Sequence, residues 1–210
     1  MRDKKKRSGN LRMFVGLLLV VAAFLFTGFN LWSEKQAELA ANGVLKRFNQ
    51  SISAETDQTA SLINLQEKSI PDYILNPQMD MPTIDIDGNK YIGKLDIPSL
   101  AISLPVMSEW SYPNMQIAPN RYKGSAYTDD LIILGHNYRT HFGGLSNLEY
   151  GDKILFTDSD DNAFTYEVVE IEVIEQTDVE KMESGDWDLT LFTCRLNRQD
   201  RLTIRCEKIE

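Results

Sequence analysis

The sequence predicts an all-β domain, a closed barrel of short strands, carried behind a membrane-spanning helix. Between Thr83 and Cys206, seven or eight short runs alternate apolar and polar residues or are apolar throughout, which is the signature of strands. Helical spacing there is confined to brief stretches near Trp110–Ala118 and Phe142–Leu148, which suggests a sheet closed on itself. Ahead of it, Met13–Trp32 holds 20 residues without a charge, enough to cross a bilayer core of roughly 30 Å.

The chain begins with a basic tail. Residues 1–12 carry six basic groups and one acid, a local charge of +5, while the remainder carries 16 basic against 30 acidic residues. The basic flank predicts a cytoplasmic N-terminus, a single pass through the cell membrane and an extracytoplasmic domain. A cleaved signal peptide is the rival reading. Its apolar core runs about 7 to 15 residues with a small-residue cleavage site behind it, and Asn30-Leu31-Trp32-Ser33-Glu34 offers none. The acidic remainder argues against nucleic acid as a partner.

From Ser33 to Gln50 the pattern is helical: Ser33 is a cap, and Ala37, Ala41, Val44 and Phe48 share one stripe. This predicts a helical stalk. Ser51–Thr59 carries no pattern, Ser61–Lys68 suggests a further helical turn, and Pro71, Pro77 and Pro82 predict an extended linker over 69–82 laid along the domain. The expected organisation is a tail at 1–12, an anchor at 13–32, a stalk and linker at 33–82 and the barrel at 83–210.

Within the barrel, Thr83–Ile86 and Lys90–Leu95 flank Asp87-Gly88, a dipeptide that suits a tight hairpin. Further strands are predicted at Ile102–Val106, Leu131–Leu134, Lys153–Thr157, Ala163–Ile174, Leu189–Cys194 and Arg201–Cys206. The last two form a hairpin, with Cys194 closing one strand and Arg201 opening the next. Cys206 then lies about 16 Å further down its strand at ~3.3 Å per residue, beyond the reach of about 7 Å between Cα atoms that a disulfide allows. Sharing parity with Leu202 and Ile204, Cys206 reads as a small core residue.

A thiol at a strand end, beside a polar loop holding Arg195, Arg198 and Arg201, fits an activated nucleophile. It fits a buried structural cysteine too, and the residues by themselves leave both readings open. His136 ends the apolar strand that passes through Gly135 and is fixed by it, whereas His141, in Tyr138-Arg139-Thr140-His141, reads as mobile surface. Two histidines and two cysteines lack zinc-ligand spacing.

Three motifs in order carry a resemblance: Leu134-Gly135-His136-Asn137, Thr190-Leu191-Phe192-Thr193-Cys194 and Arg201-Leu202-Thr203-Ile204. Together they resemble the sortases, cysteine transpeptidases of the Gram-positive cell surface, with weaker likeness from Ile92 to the C-terminus. The resemblance implies an eight-stranded barrel, with Cys194 as nucleophile, His136 as acid and base, Arg201 holding substrate or oxyanion, and Thr193 shaping the oxyanion site. It leaves Arg195 and Arg198 as solvated loop charges. It also implies cleavage of an LPXTG-like sorting signal of surface proteins or pilins and transfer to an amine, from a cell-wall precursor or a pilin lysine.

About 15 residues between Ile174 and Leu189 resemble the compact class A or D type, although His136-Asn137 and the N-terminal helix resemble class B. No cofactor is expected. Some class A members bind calcium at the loop that here holds Glu175, Asp178, Glu180, Glu183, Asp186 and Asp188, but this loop fits no calcium template and reads as a solvated acidic loop. The alternative in another class is a non-catalytic surface barrel that binds peptides.

Overall fold

The computed structural model describes residues 3–60, 70–195 and 199–209. The Ser61–Lys68 turn and Arg198 lie outside the described residues. The chain divides into two compact units, Met1–Gln36 and Ala37–Glu210.

Helix α1 spans Asp3–Ala60 without a break, so the segment after Gln50 continues the helix instead of ending it. In the first unit, every residue of Met13–Trp32 is solvent-exposed. A helix apolar on all faces has no core stripe to bury and suits hydrocarbon. Arg12–Gln50 contains a window long and apolar enough to cross a membrane.

The second unit is the barrel. Its strands are β1 (Ile84–Ile86), β2 (Asn89–Ile97), β3 (Ile102–Met107), β4 (Asn120–Lys123), β5 (Leu131–Gly135), β6 (Lys153–Asp158), β7 (Ala163–Glu175), β8 (Leu189–Cys194) and β9 (Asp200–Lys208). Sheet order runs β1-β2-β3-β4-β5-β8-β9-β7-β6, and β6 pairs back onto β2. Eight strands, β2 to β9, therefore close a barrel and leave no free edge among themselves. β1 adds a ninth strand outside the ring through its hairpin with β2, whose turn residues Asp87 and Gly88 both take positive φ, 55° and 79°.

Two elements depart from the sequence pattern. β4 is polar and four residues long; pairing with β5 and, at Met107↔Asn120, with β3 defines it. α4 (Val179–Glu183) occupies the acidic loop, where the Asp178 carboxylate accepts from Lys181 N at 3.0 Å and caps the turn. Short helices α2 (Asp72–Leu75) and α3 (Tyr112–Met115) complete the unit.

The core fills the barrel with Phe156, Tyr166, Leu191, Ile204 and Cys206, all essentially unexposed, and with Leu145 from the turn after β5. A second cluster joins Val44 and Phe48 of α1 to Ile86, Tyr91, Met107 and Ala118. The stripe expected on the helical stalk is thus packed on the barrel, and the compact unit includes the chain from Ala37 onward. Burying Phe48 completely contributes roughly 1.5–3 kcal/mol, which a solvated stalk would forgo. The segment before β1 also lies on the domain, with Tyr73 stacked on Tyr127 at 4.7 Å and Met81 buried.

Candidate active site

Parity along β8 decides where its side chains go. Leu189 and Leu191 enter the barrel core, while Phe192 joins a separate cluster on the opposite face with Ile132, Leu134, Ile174 and Met182. Cys194 shares the Phe192 face because successive strand residues alternate. In the antiparallel ladder with β9, Cys194 pairs directly with Arg201, whereas Cys206 pairs with Leu189 at the far end. Both thiols are free; Cys194 is exposed and Cys206 buried. Desolvation drives the Cys206 thiol pKa far up, as an inert core thiol requires.

The Arg201 guanidinium lies over the Phe192 ring at 5.2 Å, a cation–π contact that holds it near the strand end. Its Nε is buried and has no hydrogen-bond partner. Such a donor is costly unless something else accepts from it. Arg195 differs, since its Nη1 lies 3.4 Å from Asp200 Oδ2 and its backbone N–H donates to Asp200 O at 3.1 Å, tying the base of the loop together. Arg195 is therefore engaged as a loop charge.

β5 runs parallel to β8 with Gly135 opposite Thr193. The next residues on the two chains are His136 and Cys194, so the register delivers the imidazole to the end where the thiol sits. Gly135 is required there because a Cβ would come within 2.6 Å of the Phe142 ring. That ring packs behind the strand end, and Phe142 N–H donates to His136 O at 3.0 Å, closing the turn that carries the histidine.

A cleft of ≈ 660 Å³ opens beside the thiol, lined by Cys194, Thr193, Leu202, Val173, Phe142 and Asn137 among others. Thr193 is buried in its wall, with a hydroxyl that has no partner. His136 and Arg201 do not line this cleft. The structure thus brings Cys194 and Arg201 together as a ladder pair and Thr193 beside them, with His136 one residue beyond the neighbouring parallel strand.

His141 is not where sequence reasoning put it. It is wholly buried, because the turn after β5 folds its ring inward at the start of the run Phe142–Asn147. Burial first, then the positive charge of His136, push its pKa down to about 4. The apolar Phe142-Gly143-Gly144-Leu145 immediately after it was the signal that this turn returns to the core.

The acidic loop carries the short helix α4 pinned by Arg205, while Glu175, Asp178, Glu180 and Asp186 stay solvent-exposed, as expected of a solvated loop. Arg205 is 1% exposed; its guanidinium donates to Glu172 Oε1 at 3.0 Å, to Met182 O at 2.9 Å, to Thr190 Oγ1 at 3.0 Å and to Lys181 O at 2.8 Å. Glu172 is pushed up by burial, but hydrogen bonds from Lys181 and Arg205 outweigh that and lower its pKa. Glu183 binds Lys123, and Asp188 accepts from Lys208 N at 2.6 Å. These carboxylates point to separate partners. Among the described residues, no group of three or more His, Cys, Asp or Glu could hold a metal.

Comparison with known proteins agrees with this architecture. The Sortase domain model matches residues 95–209. The chain is 27% identical over 173 residues to Sortase A of Bacillus anthracis, covering 72% of this chain and 80% of that protein. Among solved structures it is similar to Streptococcus pneumoniae sortase C, with a TM-score of 0.58 at 21% identity over 80% of this chain and 97% of that one. It is likewise similar to Listeria monocytogenes sortase A, with a TM-score of 0.52 at 22% identity over 57% of this chain and 88% of that one.

Proposed function

The chain belongs to the sortase family of cysteine transpeptidases acting on sorting-signal proteins, and from that premise we propose that Cys194, His136 and Arg201 carry out acyl transfer from an LPXTG-like signal to an amine. The observation that carries the assignment is the register: Cys194 opposite Arg201, and His136 following the Gly135↔Thr193 pair.

The Cys194 thiolate attacks the carbonyl carbon of the scissile Thr–Gly bond, forming the C–S bond and placing negative charge on the carbonyl oxygen. The Arg201 guanidinium, whose buried Nε has no partner, supplies donors for that oxyanion, and Thr193 beside Cys194 shapes the site. Collapse breaks the C–N bond, and His136 gives its proton to the leaving glycine amine. The thioester is then attacked by an incoming amine, His136 takes the proton back, and the thiolate departs. The amine belongs to a cell-wall precursor or a pilin lysine. The structurally similar Streptococcus pneumoniae sortase C shows pilin substrate specificity, which supports the second of these.

The helix around Met13–Trp32 anchors the enzyme in this reading, with residues 1–12 cytoplasmic and the catalytic domain at 83–210 outside. Incubation of the full chain with a sorting-signal peptide, with and without added amine, tests the chemistry by mass spectrometry. An acyl-enzyme on Cys194 and an amine-dependent product are expected; full activity in Cys194→Ala, or peptide binding without cleavage in the intact chain, would refute it.

A further inference from the structure

The turn after β5 carries a residue for which the reaction above has no use. His141 is 0% exposed, and neither Nδ1 nor Nε2 has a hydrogen-bond partner. Among the described residues its nitrogens meet no partner, and the ring packs against Tyr138, with centroids 5.6 Å apart and planes tilted at 50°. Tyr138 in turn stacks on His136, with centroids 4.7 Å apart and planes at 29°. The three rings form a column from the buried turn to the strand end.

The backbone clasps the same residues. The Tyr138 carbonyl accepts from His141 N at 3.0 Å and from Gly143 N at 2.8 Å, and the His136 carbonyl accepts from Phe142 N at 3.0 Å. His141 also lines a pocket of ≈ 410 Å³ with Ser99, Leu100, Asn147 and Arg139. Removing the His141 ring takes away one of the contacts that hold Tyr138 against His136.

We infer that His141 is a positioning residue for acyl transfer: by bracing Tyr138, it holds the His136 imidazole in one orientation at the strand end beside Cys194. The inference rests on the proposed role of His136. A brace of this kind has to stay uncharged, because a second imidazolium in the column would repel His136. Burial first, then the neighbouring His136, disfavour its protonation.

The chain has two histidines, so NMR of the full chain in detergent micelles should show two imidazole signals, assigned by replacing each in turn. His141→Ala is expected to shift the His136 signal and its titration, and to lower kcat by about tenfold to a hundredfold, the scale of a small misplacement at a reacting group. KM for the peptide should stay within about twofold, since orientation of the proton shuttle is not substrate affinity. Tyr138→Leu should give the same loss, and the double variant no more than either alone. His141→Phe keeps the ring face and should restore kcat. A folded His141→Ala with unchanged kcat and an unchanged His136 titration would overturn the inference, as would failure of His141→Phe to restore either. Should His136→Ala prove fully active, the parent reading fails; the His136 signal in the Tyr138 and His141 variants still reports whether the column positions that ring.

Discussion

A guanidinium whose buried Nε lacks an acceptor, directly across the ladder from a thiol, is poised for a group that arrives with the substrate. Arg201→Lys keeps the charge but loses the planar fork, and kcat/KM is expected to fall by about a hundredfold, the scale of one oxyanion donor. Peptide cleavage kinetics check this; a fully active Arg201→Ala would move the role elsewhere. His141 makes a second prediction at this scale. Its pKa is about 4 in the fold against 6.5 for an ordinary histidine. Between these values the unfolded chain takes up a proton that the folded chain refuses, so stability falls as pH drops from above 6.5 towards 4. At pH 5 the loss relative to pH 7 is roughly 2 kcal/mol. Thermal unfolding at both pH values should show that His141→Phe removes this part of the acid sensitivity, and an unchanged difference would contradict it.

At the level of elements, α4 is held to the barrel by one buried cation. Arg205 bonds two α4 carbonyls, Thr190 of β8 and Glu172 of β7, so it ties the loop to the strand that ends in Cys194. Arg205→Ala should cost about 3–5 kcal/mol, because it removes the buried one of Glu172's two cationic partners and leaves two carbonyls without donors. Hydrogen exchange should then rise across residues 176–188, and equal protection in the variant would show that the pin is dispensable. Because Glu172, Glu183, Asp178 and Asp188 already have protein partners, chelation by EDTA is expected to leave activity unchanged; restoration of lost activity by added calcium would argue otherwise. The α1 segment over Ala37–Phe48 is held by packing, and Phe48→Ala should lower stability by about 3–5 kcal/mol.

Taken whole, the molecule joins an apolar helix to a barrel whose closure through β2–β6 leaves the β8–β9 end to present chemistry. The full chain is expected in the membrane fraction, with its barrel digested by protease added outside; a mature protein starting near Ser33 in the medium would contradict the anchor. Alternation along Leu189–Cys194 and Arg201–Cys206, the uncharged run Met13–Trp32 and the Asp87-Gly88 turn made strands, helix and hairpin legible in the sequence, since each is a local pattern that a few adjacent residues encode. The same parity separated Cys194 from Cys206. What local pattern does not encode is who packs against whom. Asn120–Lys123 became a strand through its neighbours, Ala37–Phe48 became part of the domain through Tyr91 and Met107, and His141 became buried because Phe142 and Leu145 drew its turn into the core. Those outcomes depend on contacts between residues far apart in the chain, and only the tertiary structure decides them.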